Sequence, residues 1–293
     1  NFIDEKERLH ALYLLSQFMY FGELQIRQLT KSLYRDFYQY PTIESIRCAN
    51  NNTLDSKVIQ AEFKLAENNT RFVGIGNPSE SGTHILYLFR QENKLASSLF
   101  ISDGQILKTD KEGNDVLANA SVKHYVFIDD FCGSGEQAIT YSNIVNKIKA
   151  IDKNIMVSYL MLFSTSTGKK RVMEEASFDF VEAVVELDQS FKCFDTKSRY
   201  FQDHPSQIDK EFLLDLCSRY GRILMRDICS RLGHKEPYLS PAVEKVKLGW
   251  GDCQLLIGFK HNIPDNTLPI IWYGEDGVGW YPVFKRHNKK YNP

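Results

Sequence analysis

Between residues 71 and 187 short apolar runs alternate with helical segments, and no other feature of the chain narrows its possible folds as far. The runs 72–75, 98–101, 125–128, 156–163 and 181–187 lack the polar interruptions of a half-exposed strand, and helical stretches near 83–92, 137–151 and 169–176 separate them. Buried strands interleaved with helices specify an α/β fold, a doubly wound, mostly parallel sheet covered on both faces. Ligands of such sheets sit at the carboxyl ends of the strands, so the chemistry is to be sought there.

The flanks read differently. Apolar residues recur at helical spacing through Leu9, Leu12, Leu15 and Phe18, then Leu24, Ile26, Leu29 and Leu33, with Gly22 as the break between two helices. Residues 49–53 are polar turn material. Beyond Asp188 two helices are expected near 208–220 and 222–232, followed by a Gly-, Pro- and Trp-rich tail from Gly249 to Pro282. That tail is too short and too aromatic for a domain of its own, and reads as a cap. The expected division is an N-terminal helical segment 1–70, a core 71–190 and a helical, aromatic-rich C-terminal cap 191–293.

Bulk composition removes several partners. The 36 basic and 37 acidic residues leave a net charge of −1, so no long-range field draws nucleic acid or an anionic membrane. The basic cluster Lys285, Arg286, His287, Lys289 and Lys290 reads as a solvated tail. Six scattered cysteines form no CxxC pair and no Cys/His set with zinc spacing, which suits reduced thiols and a cytoplasmic location. The acidic start is no signal peptide, and no apolar run approaches the roughly 20 residues that span a bilayer. A first residue other than Met leads to the expectation of a trimmed chain.

The segment from His124 to Gln137, HYVFIDDFCGSGEQ, carries the functional argument. An apolar strand delivers Asp129 and Asp130 to its end, and Gly133-Ser134-Gly135 then opens a helix at Gln137. Such carboxylates can hydrogen-bond ribose hydroxyls or hold a hydrated Mg²⁺ shared with substrate phosphates. The glycines let backbone approach a phosphate, and a helix N-terminus offers free N–H groups. Upstream, Gly76-Asn77-Pro78-Ser79-Glu80-Ser81-Gly82 has the small, polar make-up of a loop whose amides face an anion. In the tail, His261, Asn262 and Asn266 lie between prolines, either as a loop closing over a base or sugar or as plain turn-builders. Trp272 and Trp280 are better suited to burying the cap.

The order and spacing of residues 124–137 resemble the signature of type I phosphoribosyltransferases: four apolar residues, an acidic pair, two variable residues and a small Ser-Gly phosphate loop. Together with the N-terminal helices, the 76–82 loop and the tail run from Asn262 to Trp272, the chain resembles the PRTase-CE family of phosphoribosyltransferase-like effectors of bacterial conflict systems. The resemblance covers roughly residues 5–288. It implies an anti-phage role beside partner proteins or retron components. It also implies a Mg²⁺-dependent site in which Asp129 and Asp130 bind ribose and metal, and Asn77, Ser81, Gly82, Gly133, Ser134, Gly135, Glu136 and Gln137 hold phosphates. Hood contacts would come from His261, Asn262 and Asn266. Gly133, Glu136 and Gln137 depart from the residues usual in catalytic members, and a Glu in a phosphate cradle repels a phosphate unless it points away. Two classes therefore stand side by side: an enzyme acting at the anomeric carbon of a nucleotide or ribose phosphate, and a non-catalytic nucleotide-binding or partner-docking module.

Two features were weighed and set aside. Ser164-Thr165-Ser166-Thr167-Gly168-Lys169-Lys170 lacks the first Gly and the Ser/Thr after Lys of a P-loop, so it reads as a helix-start turn with hydroxyls near the same cleft. Cys132 sits where a helix dipole lowers a thiol pKa, but Asp129 and Asp130 oppose that effect.

Overall fold

A computed structural model describes residues 1–76, 81–274 and 279–286. The chain opens with α1 (Glu5–Ser16), capped by Asp4, and a short strand β1 (Met19–Phe21). Helices α2 (Glu23–Tyr34) and α3 (Tyr40–Ala49) follow, joined by a π-helical turn, and then α4 (Ser56–Asn68), whose N-terminus Asp55 caps by accepting the Lys57 N–H at 2.8 Å. Strand β2 (Thr70–Gly74), helix α5 (Ser81–Glu92) and the two-residue strand β3 (Phe100–Ile101) begin the alternating region. A hairpin of β4 (Leu107–Thr109) and β5 (Asp115–Leu117) precedes the long strand β6 (His124–Cys132). The remainder of that region is α6 (Glu136–Thr140), α7 (Ser142–Ile151), β7 (Met156–Thr165), α8 (Ser166–Glu175) and β8 (Phe180–Leu187). Last come α9 (Lys210–Arg231), α10 (Leu239–Val246), β9 (Ile257–Phe259) and α11 (Pro269–Trp272).

The central sheet runs β3-β2-β6-β7-β8, with β3, β2, β6 and β7 paired in parallel. Its strands read as unbroken apolar runs because both faces are covered. On one face Val73, Tyr125, Phe127, Val157 and Met161 pack with Ala138, Val145, Ile148 and Val172 of the following helices. On the other, Phe72 sits 5.2 Å, centre to centre, from both Phe89 of α5 and Tyr38. The doubly wound α/β class expected from the alternation is the observed one.

The chain divides into two compact units, residues 24–186 and residues 1–23 with 187–293. This differs from the expected three-part division. Helices α2 to α4 belong with the sheet, because Tyr34 hydroxyl donates to Glu67 at 2.9 Å and Tyr38 hydroxyl donates to Thr70 at the start of β2, also at 2.9 Å. The first 23 residues join the C-terminal unit, where β1 pairs in parallel with β9. Gly22, expected as the break between two helices, separates the short strand β1 from α2, and it adjoins the boundary between units. No described helix is long and apolar enough to cross a membrane.

One half-buried histidine makes the sheet unit sensitive to acid. His124 Nε2 lies 2.8 Å from Ser158 Oγ, and burial pulls its pKa down to about 4. A depressed pKa means that the unfolded chain takes up this proton first, so the contribution is intact above pH 6.5 and disappears as pH falls toward 4. Allowing for partial exposure, the loss is on the order of 2 kcal/mol. In urea titrations at pH 7 and pH 4.5, His124→Gln is expected to lose less stability than the wild type by that amount. Equal losses in the two proteins would refute the assignment.

Candidate functional site at the end of the central strand

Strand β6 continues two residues past the acidic pair, so Asp129 and Asp130 lie within its last turn of pleat and not beyond it. Asp129 is in register with Met161 of β7. Both carboxyls are buried, at 4% and 8% exposure. Asp129 Oδ2 accepts the Tyr159 hydroxyl at 2.9 Å, and Asp129 Oδ1 accepts the Asp130 backbone N–H at 2.9 Å. Burial first, then the charge of Asp130 and a hydrogen bond between the two side chains, hold the Asp129 carboxyl well above the usual carboxylate range. Tyr159 and Asp130 together hold the Asp129 carboxyl, and the two acids form one coupled pair at the strand end.

The Gly133-Ser134-Gly135 turn is pinned through its carbonyls. Ser164 Oγ donates to Cys132 O at 3.2 Å, Thr165 Oγ1 to Gly133 O at 2.6 Å, and Arg171 Nη1 to Ser134 O at 3.2 Å. Thr165 also caps α8 by accepting the Gly168 N–H at 2.9 Å. Gly135 takes φ +79°, a left-handed conformation that favours glycine, and the Glu136 N–H of the helix it opens donates to Ser134 Oγ at 3.5 Å. Gly168 has the complementary function: a Cβ there would stand 2.1 Å from Gly133 O. Three consecutive carbonyls are thus engaged by Ser164, Thr165 and Arg171, which fixes the course of the turn.

The upstream loop is joined to the same region. The Gly76 N–H donates to the Tyr141 hydroxyl at 2.7 Å, at the junction of α6 and α7. Gly82 packs against Ile75 O at the end of β2, where a Cβ would approach to 2.1 Å. Ser81 opens α5, and Asn77 lies outside the described residues. The side chains of Glu136 and Gln137 are exposed at the start of α6. Among the described residues no group of three or more His, Cys, Asp or Glu is placed to hold a metal. The donor set available to Mg²⁺ in this strand is the acidic pair, with Asp129 already committed to Tyr159.

Cys132 is buried, and its thiol is pushed up to about 11, chiefly by burial, so it is no nucleophile at neutral pH. The tail residues belong to the other unit and are engaged within it. Asn266, expected in a hood, is 5% exposed and donates to Trp250 O at 2.9 Å. Asn262 Oδ1 accepts the Ile263 N–H, and His261 stacks on Phe259 at 5.5 Å. Trp272 and Trp280 are buried, their indole N–H groups on Thr267 O and Ile270 O. The turn-building description fits Asn266.

Tyr159, Arg171 and Tyr141 carry no mark in the sequence reading, whereas Thr165 belongs to the hydroxyl-rich turn expected near the cleft. Tyr159 gives a local signal, a hydroxyl inside an otherwise apolar strand that needs a buried partner.

The PRTase-CE family model matches residues 1–286. The chain belongs to the PRTase-CE family. No curated protein matches the sequence. Among solved structures, a Helicobacter pylori xanthine-guanine-hypoxanthine phosphoribosyltransferase is similar at 8% identity and TM-score 0.31, over 58% of this chain and 89% of that one. Aeropyrum pernix orotate phosphoribosyltransferase is similar at 10% identity and TM-score 0.25, over 46% and 78%. A Trypanosoma brucei adenine phosphoribosyltransferase is similar at 13% identity and TM-score 0.23, over 45% and 65%.

Proposed function

We propose that this PRTase-CE protein is a phosphoribosyltransferase-like effector of anti-phage defence that acts at the anomeric carbon of a nucleotide or ribose phosphate. The observation that carries the reading is the placement of the Asp129–Asp130 pair near the end of the central strand, followed by a Gly-Ser-Gly loop whose Gly133 and Ser134 carbonyls are held by Thr165 and Arg171. A ribose hydroxyl on Asp130 and a phosphate at the 133–137 turn would fix the sugar between them. Negative charge from Asp130 then favours the positive charge that develops at the anomeric carbon as its bond to the leaving group lengthens. Asp130 is also the residue that would hold Mg²⁺, which supplies charge neutralisation to phosphates and keeps most of its own water. The defence role, with protein partners or retron components, follows from the family resemblance.

A second reading is favoured by two observations. Asp129 is turned to Tyr159, and Glu136 places an exposed carboxylate beside the phosphate turn. Both suit a module that binds a nucleotide or docks on a partner without turnover. Mass spectrometry of cellular nucleotides after expression and phage infection separates the two. Loss of one nucleotide with a matching gain of free base or ribose phosphate is expected. Unchanged pools in cells that are nonetheless protected would eliminate the enzyme and leave the module.

A further inference from the structure

Helix α4 of the sheet unit has two apolar faces, and only one of them is used. The inner face is fixed by Phe63, whose ring meets Tyr38 edge-on at 6.2 Å, and by buried Glu67, which accepts the Tyr34 hydroxyl at 2.9 Å. Turned away from it, Val58, Ala61 and Leu65 form an exposed row, with Val58 at 37% and Leu65 at 57% exposure. Leu54, 79% exposed, adjoins the row just before the Asp55 cap. The steps from Leu54 to Leu65 are four, three and four residues, the spacing of a heptad seam that packs one helix on another. A surface helix needs only its inner face apolar, so a second apolar row marks a place where something else packs.

We propose that this row is a self-association surface, at which α4 of two copies of the chain lies side by side in parallel across a twofold axis. The charges beside the row select the occupant and its direction. At 3.6 residues per turn, Asp55 and Glu62 fall along one flank of the row and Lys57 and Lys64 along the other. Asp55 caps the helix and Lys64 pairs with Glu67 at 2.6 Å. Lys57 and Glu62 are exposed and have no ion-pair partner among the described residues. In a parallel pair with this seam, Lys57 stands opposite Glu62 of the second copy, and the twofold axis makes that contact twice. In an antiparallel pair the lysine flank meets lysines and the acidic flank meets acids, which is repulsive. The surface is complementary to itself in one direction. With 13 residues α4 is about 20 Å long, so the contact falls below the roughly 1,200 Å² of a standard interface and gives a weak, concentration-dependent dimer.

Sedimentation equilibrium of the full chain, from about 5 µM to about 1 mM, should show a monomer passing to a dimer with a Kd of roughly 10–300 µM. Leu65→Asp sets a charge in the seam and should weaken the dimer about tenfold or more. Its Tm at low protein concentration should match the wild type, since Leu65 is exposed in the single chain. Lys57→Glu and Glu62→Lys should each weaken the dimer about fivefold or more by setting like charges opposite each other. An equimolar mixture of those two variants should dimerise again, because each supplies the charge that the other lacks. A chain that stays monomeric at the highest concentration overturns the proposal and leaves the row to a helix of another protein. A dimer indifferent to Leu65→Asp overturns it as well. Tightening by Lys57→Glu would make the pair antiparallel and overturn the direction assigned here.

Discussion

Asp130→Asn is expected to reduce turnover of the nucleotide or ribose phosphate at least about 100-fold, the cost of removing one preorganised charge from a site of this kind. Stability should move the other way. Asp129 and Asp130 are two buried acids in contact, and a pKa raised in the folded state means stability that is present in acid and is lost as pH rises through that pKa. Removing the neighbouring charge relieves part of that loss at pH 7, so the Tm of Asp130→Asn should equal or exceed that of the wild type. Asp129→Asn provides the contrast. Its amide can donate to Tyr159 and Asp130 while its oxygen keeps the Asp130 N–H, so it too should be stabilising at pH 7, with far more of the activity retained. Equal inactivation by the two substitutions would show that Asp129 itself meets the ligand.

The strands were legible because a parallel sheet buried on both faces leaves nothing for polar residues to do: 125–128 and 156–163 fall inside observed strands, and of 72–75 only Ile75 lies past the end of β2. The acidic pair and the small turn were legible for the opposite reason: carboxylates and glycines at a strand end are poor packing material. What the sequence withheld was partnership across distance. Nothing local to Tyr38 says that its hydroxyl reaches Thr70, so α2 to α4 could not be assigned to the sheet unit. The break expected at Gly221 fails for a related reason. Helix α9 runs through it, and the missing Cβ is taken up by Lys247 O, which would lie 1.9 Å from a Cβ there. A glycine that ends a helix and one that admits a neighbour look alike in sequence. Likewise the spacing of Ser164 to Lys170 excludes a P-loop, yet its hydroxyls hold the Cys132 and Gly133 carbonyls, a contact between adjacent strands that no spacing rule contains.

That contact makes Gly168 the position where a single methyl group should do most damage. In Gly168→Ala the new Cβ would stand 2.1 Å from Gly133 O, 2.9 Å from Gly133 C and 3.0 Å from Thr165 Oγ1. None of the three can yield cheaply. Gly133 belongs to the turn that Thr165 holds at 2.6 Å, and Thr165 is fixed in turn by capping Gly168 itself. Either α8 moves off the strand ends or the turn swings away from Asp130. The first route loses the packing of Val172 against the core, and overpacking at such a point costs about 3 kcal/mol or more. The second keeps more of the stability and loses the anion site. Denaturant unfolding together with phosphate-ligand binding distinguishes the routes, and Thr165→Ser, which keeps the hydroxyl, should be nearly silent in both. If Gly168→Ala keeps wild-type stability and wild-type binding, the turn is not held by α8, and the rigid turn that supports the proposed function has no physical basis.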